Sequence, residues 1–298
     1  MDFSLQVSNL ILQSTGKKIL LNRMKRNPFF MVGGILAIVI VILCFTSPLF
    51  VQFDAEANTL GEKLLKPEGF SNGLYGHVFG TDQMGRDVMT RLLIGGRYSL
   101  SIAFVVVVLQ AIIGTVLGIV AGYFGKAVDT IIMRICDVFL AIPNLILAIA
   151  IMAVLGSKIS NLIAVLVFSG WVNYCKVIRN NVRVIKNQEF IHASRVLGAG
   201  HLHIMFRQIF PNVTTNLIII GSQKVGQTIL VEAALSFLSL GIQPPTPSWG
   251  NMISNGRTFL MVNPWLVLVP GIALMLTVLA FNFLGDGLRD VLDPKRIS

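Results

Sequence analysis

Charge is what this chain has least of. Only 13% of its 298 residues are Asp, Glu, Lys or Arg, about half the share of a soluble domain. That shortage excludes an ordinary water-facing surface, and with 54% of residues hydrophobic it makes lipid the solvent for most of the chain. Cysteine is scarce too. Cys44, Cys136 and Cys175 all lie in apolar runs and none has C-x-x-C spacing, so they read as small packing residues and not as a disulfide framework or a metal site. A phosphate-binding G-x-x-x-x-G-K-[ST] loop is missing, because Gly16-Lys17 and Gly125-Lys126 lack both the earlier glycine and the hydroxyl residue. No His, Cys or carboxylate cluster has zinc or hydrolytic spacing. These absences predict a chain that is no enzyme by itself and binds no cofactor or metal.

What is present is a set of long apolar runs. Crossing about 30 Å of hydrocarbon takes about 20 residues of helix. Six segments qualify: Phe29–Phe50, Ser99–Tyr123, Ile131–Leu155, Ile159–Lys176, Pro211–Leu240 and Val262–Leu284. The first is too long for a cleaved leader, and Ser47-Pro48-Leu49 is a poor cleavage site. The formal net charge of +10 does not point to nucleic acid, because the basic residues fall between hydrophobic segments and form no folded polar patch. They read instead as contacts with anionic lipid and as a topology signal. Lys17, Lys18, Arg23, Lys25 and Arg26 precede the first run, and Lys176, Arg179, Arg183, Lys186, Arg195 and Arg207 lie between the fourth and fifth. Arg289, Lys295 and Arg296 follow the last. The other connections are balanced or nearly uncharged, so both termini and the long basic loop are expected in the cytoplasm. Phe3–Lys25 reads as an interfacial amphipathic helix or a disordered tail. Gln243–Trp249 (QPPTPSW) carries three prolines and reads as a rigid extracytoplasmic connector.

The basic loop runs EFIHASRVLGAGHLHIMFRQIFPN from Glu189 to Asn212. Residues 189–197 can form a short helix that Gly198 and Gly200 end. A second stretch, 201–209, then leads to Pro211 at the fifth run. Read alone, this fits any basic loop touching headgroups. It resembles, however, the EAA loop of binding-protein-dependent ABC importers, which docks on an ATPase subunit. His192, Ala193 and Ser194 stand where that family has Glu-Ala-Ala, Gly198 stands at its glycine, and Phe210-Pro211 at its closing Leu-Pro. His192 in place of Glu removes a carboxylate. Glu189, His192, Ala193, Ser194, Gly198 and Pro211 are therefore the residues expected to couple to an ATPase.

Three further stretches carry the same resemblance in order and spacing: GTDQMGRD at Gly80–Asp87 with RLLIGGRYSL after it, LSFLSLGIQPPTPSW at Leu235–Trp249, and AFNFLGDGLRDVLDP at Ala280–Pro294. Together they are similar to the C-type permease of the dipeptide/oligopeptide/nickel transporter family. The resemblance implies an all-α membrane protein of about six transmembrane helices with the type I ABC importer fold. Its layout would be a cytoplasmic segment (1–28), a first span (29–50), an extracytoplasmic loop (51–98), a five-helix core (99–286) with a coupling loop (179–210), and a tail (287–298). It also implies a second homologous permease, two ATP-binding subunits and an extracytoplasmic solute-binding protein. Short peptides are the expected cargo, with nickel, metal chelates or glutathione-like solutes as alternatives and a gated channel as a distant one. Thr81 or Asp82 is expected to cap a helix near Gln83, and Asp286, Arg289, Asp290 and Asp293 to pair locally.

Charges inside spans stand out because each costs about 2.5–3.5 kcal/mol at mid-membrane. Arg134 and Asp137, three apart, can pair on one helix face. Lys224 and Glu232 lie eight apart and about 80° from each other around a helix. They are expected either to line a translocation path or to be buried in a network with neighbouring helices.

Overall fold

Local chemistry starts the first helix. The Asn27 side-chain oxygen accepts from the Phe30 amide (2.9 Å), and Pro28, whose missing N–H costs nothing in a first turn, follows it. The computed structural model describes residues 22–49, 51, 53–69, 71 and 76–292. The expected interfacial segment Phe3–Lys25, apart from residues 22–25, and the tail beyond residue 292, with Asp293, Lys295 and Arg296, lie outside the described residues. Within them the regular structure is helical and contains no strand. The helices are α1 Pro28–Thr46, α2 Val88–Phe124, α3 Lys126–Leu140, α4 Asn144–Leu155, α5 Ile159–Ile185, α6 Glu189–Val196, α7 Phe210–Phe237, α8 Trp249–Gly256 and α9 Trp265–Leu292.

α2 and α5 form the centre of the bundle, running parallel, so that Gly114 meets Trp171 and Tyr174 and Gly122 meets Arg179 and Val182. Gly114, Gly118 and Gly122 recur every four residues along α2, and a Cβ at Gly118 would come 2.7 Å from the Cys175 carbonyl oxygen. A Cβ at Gly122 would come 2.8 Å from the Arg179 oxygen. The missing side chains let the two backbones touch, which is how membrane helices gain packing energy where lipid is as apolar as leucine. α9 runs antiparallel to α7, with Gly226 beside Val278 and Gly285 beside Ser222. α1 is peripheral: Ile35, Ile38 and Ile42 are more than half exposed, while Gly33 lies against the α9 backbone at Ala280 and Phe283.

Four helices (α1, α2, α5 and α9) are singly long and apolar enough to cross a membrane. α3 and α4 together make a fifth candidate, bent by 83°. The expected straight span Ile131–Leu155 is therefore broken, and Pro143 is the reason. It offers no N–H, and it pushes Ile142 out of the helical region. α7, with Asn212, Asn216, Gln223, Lys224, Gln227 and Glu232, is too polar to join the set. α2 begins at Val88, eleven residues before the expected Ser99. The charge of Arg91, which counted against a lipid-facing helix, is fully enclosed, donating to the Ala55 oxygen (2.5 Å) and the Pro245 oxygen (3.4 Å). α5 continues nine residues past the expected Lys176, because its basic residues pair with α3. Lys176 meets Asp137 (3.0 Å) and Arg179 forks onto Asp129 (2.5 and 2.6 Å). Asp137 thus pairs across helices, correcting the expected pair with Arg134.

The proline-rich connector turns back into the bundle as α8. Ser248 and Asn251 cap it reciprocally, and buried Trp249 donates its indole N–H to the Leu92 oxygen (2.9 Å).

Candidate coupling loop and intramembrane cavity

α6 ends in a Schellman turn. The Ala199 amide donates to the Ser194 oxygen and the Gly198 amide to the Arg195 oxygen, both at 3.0 Å, with Gly198 at φ +84°. Glycine alone takes this left-handed geometry without penalty. The chain resumes as a helical turn, His201–His203, widens into a π-helix over Ile204–Ile209, and runs without a break into α7. The wider turn precedes Pro211, which has no N–H to give and would crowd the carbonyl one turn back in a tight α-helix.

One side of this loop is anchored and the other is free. Ile191 is fully buried among Ile119, Ile178, Val182, Ile204 and Ile209. Val196 and Leu197 are 88% and 87% exposed, and Glu189, His192, Ala193, Gly198 and Pro211 are exposed with them. Ser194 differs from the other expected coupling residues. It is half-buried, donating to the Phe190 oxygen (2.9 Å) and accepting from Gln208 Nε2 (2.6 Å), so it ties α6 to the π-helix. Tyr123, at the end of α2, holds the loop from the core side. Its hydroxyl meets His201 Nδ1 (2.8 Å), and the Arg195 guanidinium lies 5.4 Å from its ring centre. Sequence reasoning missed Tyr123 and Gln208, since nothing in their spacing ties Tyr123 to partners 72 and 78 positions away or Gln208 to one 14 positions away. The exposed Val196-Leu197 pair was legible as two apolar residues directly before a glycine in a basic loop.

The second candidate lies halfway along α7. Lys224, Gln227, Thr228 and Val231 share one helix face and line a cavity of about 70 Å³ with Gln110, Asn144, Leu166 and Gly170. Four helices therefore contribute to it. Lys224 Nζ donates to Gln227 Oε1 (2.8 Å). Gln110 Nε2 donates to the Leu166 oxygen (2.8 Å), while its Oε1 has no partner, and the side chain lies across α5 where Gly170 leaves room. Asn144 and Gln227 are exposed, so the cavity is open on their side.

Lys224 and Glu232 do not share this site. Glu232 is completely buried; Ser236 Oγ donates to its Oε1 (2.7 Å) and accepts from the Ile242 amide (3.0 Å), fastening the turn after α7. Ser99 of α2 stands beside the carboxyl. A larger groove of about 470 Å³, between α2 and the π-helix, is walled by apolar residues such as Val108, Val116 and Phe206 with Thr115 as the lone polar side chain, so selective chemistry belongs to the smaller cavity.

At the opposite end from α6, the GTDQMGRD stretch is an ion-pair knot. Asp82 accepts from the Arg86 guanidinium (2.7 Å), lies 3.6 Å from Arg91, and takes the Met84 and Arg86 amides. Asp87, not Thr81 or Asp82, caps α2, accepting from the Thr90 amide (2.7 Å) and meeting His77 (3.0 Å). Near the end of α9, Asp286 accepts from Gln223 of α7 (2.9 Å) and Asp290 from Asn27 (3.4 Å), so these acids tie α9 to other elements, while Asp293 of the expected local pairing lies outside the described residues. The three cysteines are free and buried. Among the described residues no three His, Cys, Asp or Glu side chains gather.

Comparison with known proteins agrees with this geometry. The family profile described as "Binding-protein-dependent transport system inner membrane component" matches residues 114–298, and "N-terminal TM domain of oligopeptide transport permease C" matches residues 18–67. The chain is 38% identical over 273 residues to the glutathione transport system permease protein GsiD of Pectobacterium atrosepticum, covering 92% of this chain and 89% of the relative. It is 37% identical over 271 residues to the dipeptide transport system permease protein DppC of Haemophilus influenzae, covering 91% and 92%. To DppC of Alkalihalophilus pseudofirmus it is 38% identical over 276 residues, covering 93% and 89%. An all-helical bundle with several apolar spans, matched along more than half its length by that first profile, belongs to the family of binding-protein-dependent transport system inner-membrane components, which are transport permeases and not enzymes.

Proposed function

We propose that this chain is one permease of an ATP-driven importer for di- or oligopeptides, working with a second homologous permease, two ATP-binding subunits and an extracytoplasmic solute-binding protein. The chain itself holds no cofactor. Glutathione-like solutes are the second reading, favoured by the GsiD relative. α7, with α3–α4 as one broken span, brings the crossings to six, and both termini face the cytoplasm.

The observation that carries this reading is the loop. Val196 and Leu197 project into the open beside Glu189, His192 and Ala193, on a short helix pinned to the core by Ile191. An apolar knob held this firmly outside the bundle fits a groove on an ATP-binding subunit better than a lipid surface. It also speaks against a simple channel, which would need no such element. Substrate would move by alternating access, a two-state change biased by ATP and by solute, with Lys224 lining the path. Glu232 would act on the path indirectly, by fixing the end of α7.

Gly198 tests the coupling. A Cβ there meets nothing within 4 Å in this chain, yet φ +84° strains any side chain by about 1–2 kcal/mol. Gly198→Ala is expected to keep most ATPase association. Gly198→Leu, with the same strain plus bulk on the docking side, should insert normally but lose co-purification of the ATPases or solute-stimulated hydrolysis. Normal association and normal stimulation in Gly198→Leu would remove the loop from the coupling role.

A further inference from the structure

We propose that Lys224 is a transient binding site for the carboxylate of the transported solute, an inference that rests on the peptide-importer reading above. An ammonium carries three N–H donors, and in Lys224 one of them is met by Gln227 Oε1 (2.8 Å). No acid neutralises it: every ion pair among the described residues lies elsewhere. Asp286, which meets the neighbouring Gln223, makes none with it. The other polar groups around the cavity are neutral amides and a hydroxyl, from Gln110, Asn144, Gln227 and Thr228. This is one unmatched positive charge, halfway along a helix too polar to pass for an ordinary span, among groups that can donate or accept but cannot cancel it. Such a charge is expensive at this depth, and a carboxylate arriving there gains a charge-assisted hydrogen bond.

Size sets what enters. At about 70 Å³ the cavity has room for the equivalent of about two waters, each taking about 30 Å³. A carboxylate fits and a whole dipeptide does not. The remainder of the solute would extend past Asn144 and Gln227, where the cavity is open. Glycine at position 170 is part of this design, since any side chain there would push the Gln110 amide out of the wall. The site takes only the feature that dipeptides and glutathione share, and leaves selection among them to other parts of the importer.

The test uses the whole complex in membrane vesicles with a dipeptide ending in a diazirine analogue of leucine. Lys224→Gln should cut the maximal uptake rate at least tenfold with little change in KM, which the solute-binding protein sets, and Lys224→Arg should keep at least a third of it. Illumination during transport should cross-link the dipeptide to α7 at residues 224–231 or to the start of α4, and Lys224→Gln should lose that adduct. Wild-type uptake by Lys224→Gln overturns the inference, and so does a wild-type adduct that maps elsewhere, which would make the lysine structural. If Lys224→Gln fails to assemble, the wild-type adduct alone decides. A wild-type complex that moves neither dipeptide nor glutathione ends the peptide-importer reading, and this inference with it.

Discussion

At the scale of single residues, the arginines of the Asp87 end carry the sharpest energetic demand. Arg86 and Arg91 are both nearly inaccessible, and Asp82 is the carboxylate that faces both. Removing one member of a buried pair leaves an uncompensated charge and costs about 3–5 kcal/mol. Asp82→Ala strands two arginines and is expected to abolish accumulation of the protein in membranes. Asp82→Asn, which keeps acceptors for the Met84 and Arg86 amides, should be milder. Immunoblots of membrane fractions decide the matter, and normal levels of Asp82→Ala would show that the knot contributes nothing to folding. The sequence displayed this motif but not its partners. Ala55 and Pro245, which also satisfy Arg91, are 36 and 154 positions away.

Among elements, contact between α2 and α5 decides whether there is a bundle at all. Gly118→Leu would place a side chain where a single added carbon already comes 2.7 Å from the Cys175 oxygen. The helices would have to separate along their whole contact, and overpacking costs of about 1–3 kcal/mol per site are the lower bound here because the obstacle is backbone. Loss of thermal stability in detergent, read by size-exclusion chromatography after heating, is the expected result. Gly34→Leu in α1, where an added carbon approaches only a Leu284 methyl at 3.7 Å, is the matched control and should be tolerated. Element identity was legible from apolar run length, and the two short helices around Gly198 from the glycines themselves. Element ends were not. The expected α2 start missed Arg91 as a helical residue because hydropathy treats a buried arginine and a headgroup arginine alike. The bend at Pro143 was overlooked inside a run whose apolar content is unbroken.

For the whole molecule, the described ends agree with one orientation. Asn27 and Asp290 are in contact (3.4 Å), so the start of α1 and the end of α9 share a side of the bundle. We propose from the charge asymmetry that this side, with α6, faces the cytoplasm. Cysteines placed at Glu189 and Thr246 test it, and the three native cysteines, all buried, give a quiet background. An impermeant maleimide added to intact cells should label position 246 and spare 189; labelling of 189 from outside would invert the topology. Met1 and Ser298 should behave like 189, and Leu60 like 246. The family was readable because four motifs stand in register. The cavity was only half readable: Lys224 announced itself by charge, whereas Gln110, Asn144 and Gly170 reach it from three other helices by tertiary packing alone.

The uninterrupted helix from His201 to Phe237 also has a mechanical meaning. Lys224 lies fifteen residues beyond Ile209, about 22 Å at 1.5 Å per residue. A rod of that length pivoting by about 10° at its base swings its far point by about 4 Å. That is more than a hydrogen bond's tolerance. The π-helical turn at the pivot is the part of this lever with the loosest winding. On the proposed coupling, a small push at the base of this helix would be geared up into the making or breaking of a grip halfway along α7, with no break in the helix between the two points.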